Sequence, residues 1–402
     1  MCTDSPDDRS PKRVAQLIQT LGMGGAERLA VQLANAHAAA GDHSFLYVLC
    51  GPDLLSSQID SRVHVRYLRW EWPKTNLFRM VPALLAGHRA LLTQLRQDAV
   101  RIVQTHLPAA NYLGLALAWR RRAMVVATVH NTQEFRYGDA VQPMRAELRR
   151  RAYRQIVRRC PVVVAVATAV KESLIADLEL TATDAERIQV IPNGVEIPAP
   201  LPLAEILAVR QRYGIEANEQ LVLAAGRMTE QKNFAALVAA LTPLLRSRGQ
   251  CRLLLAGDGP LRAELTEQVR ASGLCHQVLL PGNVTDLSAL LQAADLFVLP
   301  SRWEGLPLVL LEAMAAGLAV VASRIESVQN VITDGEDGIL VPPGDETKLA
   351  AAVEQLLDDP DRRAGVAVAG RDTVASHYTF ERVALQTQEL YTRLVVSSTT
   401  AG

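Results

Sequence analysis

The chain has 402 residues, 49% of them hydrophobic and 21% charged, and its 42 basic and 42 acidic side chains cancel to a formal net charge of zero. That is enough chain and apolar surface for two ordinary domains with full cores. Aromatic residues make up 4%, so those cores are expected to be built from Ala, Val, Leu and Ile. The longest nearly apolar run, Pro161–Val170, falls well short of the roughly 18 residues a membrane-spanning helix needs. The first dozen residues are polar and include Asp4, Asp7, Asp8 and Arg9, unlike a secretory leader, so a cytoplasmic protein is expected. Five cysteines (Cys2, Cys50, Cys160, Cys251 and Cys275) are scattered, odd in number and never spaced Cys-x-x-Cys. That argues against both a disulfide framework and a zinc site.

In chain order, Val14–Gln19, Phe45–Leu49, Val63–Leu68, Ile102–Thr105, Val125–Val129 and Val162–Ala165 read as strands, with helices such as Glu27–Ala40 and Leu84–Gln97 between them. Alternation of this kind predicts βαβ units and a mostly parallel, doubly wound sheet. The scheme repeats with Leu221–Ala225, Arg252–Ala256, Val278–Leu280, Leu296–Leu299 and Ala319–Ala322. Between the two series lies the proline-rich stretch Ile191–Pro202, which can continue neither a helix interior nor a ladder and reads as a linker. The expected architecture is therefore α/β, two Rossmann-like doubly wound domains facing across a cleft, with ligands beyond the carboxyl ends of the strands. Charge divides along the same line: through Glu196 there are 25 Lys and Arg against 18 Asp and Glu, with the opposite imbalance beyond. The first half is expected to meet something anionic.

The motifs fall at strand ends. Leu21-Gly22-Met23-Gly24-Gly25-Ala26-Glu27-Arg28 follows the first strand and opens the first helix. Its glycines allow a ligand to approach the backbone, and a helix start offers free N–H groups to phosphate. A dinucleotide fingerprint would need glycine where Glu27 stands, so an NAD site is discounted, and a tight turn without ligand stays open. His106 and His130 each end a strand, where a histidine can bind a sugar hydroxyl, relay a proton or merely satisfy the local backbone. In Gly226-Arg227-Met228-Thr229-Glu230-Gln231-Lys232-Asn233, Arg227 and Lys232 lie between a strand end and a helix start, as two cations placed to hold a diphosphate.

The segment Arg302-Trp303-Glu304-Gly305-Leu306-Pro307-Leu308-Val309-Leu310-Leu311-Glu312 sets two carboxylates on either side of a helix start near Pro307. Unpaired amides and the macrodipole make that start an anion site, and Glu304 and Glu312 become acceptors for the hydroxyls a nucleotide-sugar carries. Surface glutamates on an exposed helix are the alternative. The stretch Arg145–Arg159 holds seven arginines over an apolar stripe of Leu148, Ala152, Tyr153, Ile156 and Val157. It predicts an outer helix packed on the sheet, with arginines weakly drawn to an anionic membrane; Arg120-Arg121-Arg122 and the loop Trp70-Glu71-Trp72-Pro73-Lys74 would add to that face. The sole Asp-x-Asp, Asp359-Pro360-Asp361, sits at a helix-breaking turn, and no Gly-x-Ser-x-Gly elbow is present.

The ordered set of Gly-Met-Gly-Gly-Ala-Glu-Arg, Thr-His-Leu-Pro, Val-His-Asn, Ile-Pro-Asn-Gly-Val, Gly-Arg-x4-Lys-Asn, Gly257-Asp258-Gly259-Pro260, Gly282-Asn283-Val284 and Glu304-x7-Glu312 resembles glycosyltransferase family 4, retaining enzymes of the GT-B fold. The resemblance implies an acceptor-side domain over 1–196, completed by a C-terminal crossover helix over 381–402, and a nucleotide-sugar domain over 203–380. It implies that amides of Gly24 and Gly25 and those of Gly305, Leu306, Pro307 and Leu308 approach the donor phosphates, Pro307 lending only its place in the turn. Arg227 and Lys232 would grip the diphosphate, Glu304 the transferred sugar, Glu312 the ribose, and the Val284 backbone the base. His106 would contact the sugar near the reacting carbon, with His130, Asn131 and Asn193 on the acceptor side. The last helix, Phe380 to Val395, would cross back with its bend at Tyr378–Glu381. No metal or other cofactor is implied. The implied reaction moves a sugar from a UDP- or GDP-linked donor to a hydroxyl acceptor, lipid-linked or polysaccharide, with no nucleic acid involved. A nucleotide-sugar-binding protein without turnover, or an epimerase of the same fold, would carry the same pocket.

Overall fold

Strands form where runs of Val, Leu, Ile and Ala are buried on both faces, as an all-parallel sheet demands. The computed structural model describes residues 11–70, 77–120, 123–135 and 143–400. Among these, thirteen strands build two parallel sheets. The first holds β1 (Arg13–Ile18), β2 (His43–Val48), β3 (His64–Tyr67), β4 (Ile102–His106), β5 (Met124–Val129), β6 (Val162–Ala165) and β7 (Ile188–Val190), in the order β3-β2-β1-β4-β5-β6-β7. The second holds β8 (Gln220–Ala225), β9 (Cys251–Ala256), β10 (Val278–Gly282), β11 (Leu296–Leu299), β12 (Val320–Ser323) and β13 (Ile339–Val341), in the order β10-β9-β8-β11-β12-β13. Each sheet reverses its order beside its first strand, between β1 and β4 and between β8 and β11. That switch point is where such sheets open a crevice at their carboxyl ends.

The predicted strands are all present within a residue or two. Two more, β7 and β13, have three residues each and edge positions, too short to show a period. The register pairs Val14 with Ile102 and Ala15 with Phe45 in the first sheet, and Leu223 with Leu254 and Phe297 in the second. Apart from Arg13, His43, Gln220 and Arg252 at their amino ends, these strands are buried.

The linker and the start of the last helix are zipped together. Val195 N–H donates to Tyr378 O and Phe380 N–H to Val195 O, both at 2.9 Å. Gly194 has no room for a side chain there, since a Cβ would lie 2.5 Å from Thr379 O. From this crossing the helix Phe380–Thr400, longer than expected, lays Val383, Leu390, Tyr391 and Leu394 against Val14, Ile102, Val126 and Val164 of the first sheet.

The basic helix runs Pro143–Arg159, with Tyr153, Ile156 and Val157 buried as expected. Leu148 departs from the expected stripe and is exposed, because Ala146 takes the inward position in that turn. Met144 and Trp119 are exposed, and Arg159 lies 5.2 Å from the Trp119 ring centroid. Arg121, Arg122 and Glu71 to Lys74 lie outside the described residues. No helix among the described residues is long and apolar enough to cross a membrane.

Candidate active site

The two switch points face each other, and the chain after β11 touches the chain after β5 backbone to backbone. A Cβ on Gly305 would lie 1.9 Å from His130 O and 3.3 Å from the Asn131 Cα, so glycine alone fits there. Thr132 Oγ1 donates to Glu304 O at 3.0 Å and Asn193 Nδ2 to Leu306 O at 2.9 Å, which fastens the 304–306 backbone to the first half. Asn193 is buried, and its Oδ1 has no partner among the described residues. Asn131 turns its Oδ1 back on the Gln133 N–H at 3.2 Å, closing the loop that presents His130.

Glu304 is a buried carboxylate with three donors. Lys232 Nζ lies 2.6 Å from Oε1, Ser301 Oγ donates to the same oxygen at 2.7 Å, and Gln231 Nε2 donates to Oε2 at 3.1 Å. The Lys232 stem lies under Gly226, whose φ of +150° and 2.9 Å approach to Lys232 Cε both call for glycine. Pairing and hydrogen bonding are what make a charged couple tolerable at such depth. Arg227 is exposed, and its guanidinium has no partner among the described residues. Its field reaches Glu27 across the cleft.

The helix Leu308–Ala315 starts after Pro307 with no side-chain cap, and it carries Glu312 on its second turn. Leu308 faces Gly25 across the gap, a Cβ on which would lie 3.1 Å from Leu308 Cδ1. The Gly24 turn and this helix start therefore do converge. Two features there were not anticipated. Glu312 is held by Arg28, whose guanidinium spans the cleft with Nη1 to Oε1 at 2.5 Å and Nη2 to Oε2 at 3.3 Å. The Glu27 carboxylate curls back over the glycine turn, where Thr20 Oγ1 donates to it at 3.2 Å. Burial raises the Glu27 carboxyl above its ordinary range; its own helix-start amide, Thr20, Arg227 and Arg28 pull the other way.

The two strand-end histidines differ in placement. His106 is completely buried, with Nδ1 3.2 Å from His130 Nε2 and Nε2 2.8 Å from Gln16 Oε1. His106 has no exposed surface, and its Nδ1 edge is covered by the half-buried His130. Burial and the neighbouring His130 hold His106 well below the ordinary range, and burial lowers His130 to about 4. Val284 follows β10, half-buried and two strands away from β8, beyond the Arg227 loop. Among the described residues, no three His, Cys, Asp or Glu side chains gather where they could hold a metal ion. Of the residues that matter here, Arg28, Ser301, Gln231 and Gln16 were not singled out from sequence. Arg28 and Gln231 had a signal, their places within the two strand-end glycine motifs.

Residues 23–197 match the family described as Glycosyltransferase Family 4, and residues 219–359 match Glycosyl transferases group 1. The alpha-maltose-1-phosphate synthase of Mycolicibacterium smegmatis is 30% identical over 346 residues, 77% of this chain and 85% of that one. The chain belongs to glycosyltransferase family 4. Within the family it is also 26% identical over 310 residues, 76% of this chain and 78% of the other, to the Escherichia coli UDP-Gal:alpha-D-GlcNAc-diphosphoundecaprenol alpha-1,3-galactosyltransferase. In fold it is similar to Anabaena HepE in complex with UDP-glucose, with a TM-score of 0.80, 20% identity, and cover of 95% of this chain and 100% of that one. The two facing sheets are the GT-B architecture.

The histidine pair has a consequence for stability. Both rings have folded pKa values below the 6.5 of an unfolded histidine, so between about pH 6.5 and pH 4 the unfolded chain binds more protons and stability falls as the pH drops. Glu27 and Glu134, raised by burial, act in the opposite sense. Urea unfolding should show a lower midpoint at pH 5 than at pH 7, and His130→Gln should lose part of that difference. An undiminished difference in the variant would contradict the assignment.

Proposed function

We propose that this glycosyltransferase moves a sugar, with retention of anomeric configuration and without a metal, from a UDP- or GDP-linked donor to a hydroxyl acceptor in cell-surface polysaccharide or glycolipid synthesis. The observation that carries the reading is the convergence, in one cleft, of an uncapped helix start at Leu308, the Lys232–Glu304 couple, the unpartnered Arg227 and the half-buried His130. The donor diphosphate lies against the helix start and the Gly24 turn, and Arg227 and Lys232 neutralise it as it departs. Lys232 has three protons to share, and Ser301 and Gln231 keep Glu304 in place when one of them turns to phosphate. Glu304 accepts from hydroxyls of the transferred sugar, Glu312 and Arg28 meet the ribose, and the Val284 backbone meets the base. Residues 203–380 form the donor domain and 1–196 with the last helix the acceptor domain.

The sugar-contacting histidine in this reading is His130, backed by His106. The bond from the anomeric carbon to the diphosphate breaks, and the acceptor oxygen bonds to the same face. Its proton passes to the departing phosphate oxygen. Neutral His130 accepts a sugar hydroxyl and holds the ring while charge develops on the anomeric carbon. Closure between the sheets keeps water from competing with the acceptor. UDP-glucose on HepE and a lipid-diphosphate substrate of the Escherichia coli relative support a UDP donor and a lipid-linked acceptor.

A lipid acceptor fits a cytoplasmic enzyme that docks on the anionic inner face of a membrane. Met144 and Leu148 stand exposed among the arginines of the helix Pro143–Arg159, where Arg150, Arg151 and Arg154 share the single Glu147. Each surplus arginine contributes about 1 kcal/mol near such a surface.

Glu304→Gln and Lys232→Ala should each lower kcat for sugar transfer about a hundredfold or more with the far-UV circular dichroism unchanged. Wild-type rates in either variant would rule out this donor site. A thermal-shift screen of UDP- and GDP-sugars identifies the donor to use. Replacing Arg149, Arg150 and Arg151 by Glu should abolish sedimentation with phosphatidylglycerol vesicles, and unchanged sedimentation would reduce that helix to packing.

A further inference from the structure

Behind the two histidines runs a buried line of hydrogen bonds that no donor contact requires, and it ends on the C-terminal helix. Tyr391 is fully buried there, its ring stacked on His37 with centroids 4.9 Å apart. Its hydroxyl donates to Gln104 Oε1, and Gln104 Nε2 donates to Thr128 Oγ1 at 2.8 Å. A phenol has one proton to give. Tyr391 has given it to Gln104, so toward Gln16 Nε2, at 3.1 Å, it acts as acceptor. That orients the Gln16 amide and leaves its Oε1 facing His106 Nε2 at 2.8 Å. An amide oxygen only accepts, so the proton of the neutral His106 ring sits on Nε2 and its Nδ1 is a lone pair. His130 Nε2, 3.2 Å from that lone pair, has to be the donor. The other nitrogen of His130 is then bare, and it has no partner among the described residues.

We infer that Gln16, His106 and Tyr391 are positioning residues that lock His130 in its Nε2–H tautomer, so that it offers Nδ1 to the cleft as an acceptor for a donating hydroxyl of the transferred sugar. The sugar contact rests on the function proposed above; the tautomer does not. The depressed pKa values of both rings agree with a neutral pair at pH 7. A locked acceptor cannot protonate a leaving group, which leaves His130 the task of selecting and holding a hydroxyl. The line also makes the last helix part of the site. It reaches the histidine along the face of the first sheet on which it packs, through Gln16 on β1, while Gln104 on β4 takes the Tyr391 proton.

The experiment is long-range proton–nitrogen correlation on the full chain labelled with 15N-histidine at pH 7, with His130 assigned from the spectrum of His130→Asn. An unprotonated Nδ1 and protonated Nε2 on His130 are expected, and a protonated Nδ1 would overturn the inference. Tyr391→Phe releases the Gln16 amide. Both His130 nitrogens should then shift toward tautomer-averaged positions, and kcat for transfer from UDP-glucose should fall about three- to tenfold with donor KM little changed. A His130 signal identical to wild type in a folded Tyr391→Phe, or in Gln16→Leu should the first fail to fold, would refute the relay. The expected tautomer with no transfer from any nucleotide-sugar would support the relay and refute the proposed function.

Discussion

Everything in the cleft depends on one close approach, the Gly305 backbone lying against the carbonyl of His130. No side chain can intervene, so the loop after β11 and the loop after β5 are set in register by main-chain contact. Thr132 and Asn193 then fasten the carbonyls of Glu304 and Leu306 from the first half. The Glu304 side chain is turned toward Lys232, the helix start at Leu308 is turned toward Gly25, and His130 is placed between the two sheets. A rigid meeting of backbones is a better foundation for such a site than flexible side chains, whose ordering would cost entropy each time the cleft closed.

Apart from Arg227, the cations of the cleft come already matched. Lys232 with Glu304 and Arg28 with Glu312 are couples that a diphosphate and a ribose would join rather than find vacant. The Arg28 couple links the helix after β1 to the helix after β11, so occupancy of Glu312 and closure of the two halves bear on the same ion pair. Glu27 lies over the glycine turn much as an anion would, bonded to the helix-start amide and Thr20. An incoming phosphate therefore meets a carboxylate that burial has already made reluctant to stay ionised.

The sheets were legible in the sequence because strands buried on both faces leave continuous apolar runs, and the prolines of 191–202 marked the crossing plainly. β7 and β13 escaped notice because three residues show no period. The glycine turns at the strand ends were legible too, Gly24 and Gly25 opening the first helix and Gly226 following β8. The histidines were not separable. His106 and His130 both end strands, and which ring stands in front depends on a loop curvature that neither local pattern records. Arg28 and Glu312 lie 284 residues apart. Their partnership depends on how the two halves meet, which no local spacing encodes. Leu148 was placed on the inner stripe because periodicity leaves a residue at the stripe's margin undecided, and the smaller Ala146 won the packed position.

The central claim is that a nucleoside diphosphate occupies the gap between the sheets, with its phosphates against Arg227, Lys232 and the amides that open the helix at Leu308. A crystal structure of the protein soaked with UDP tests it most directly. The account predicts density for the β-phosphate within hydrogen-bonding distance of Lys232 Nζ and those amides, with the ribose beside Glu312. Nucleotide density seated outside the cleft, with the Lys232–Glu304 and Arg28–Glu312 couples untouched, would contradict it.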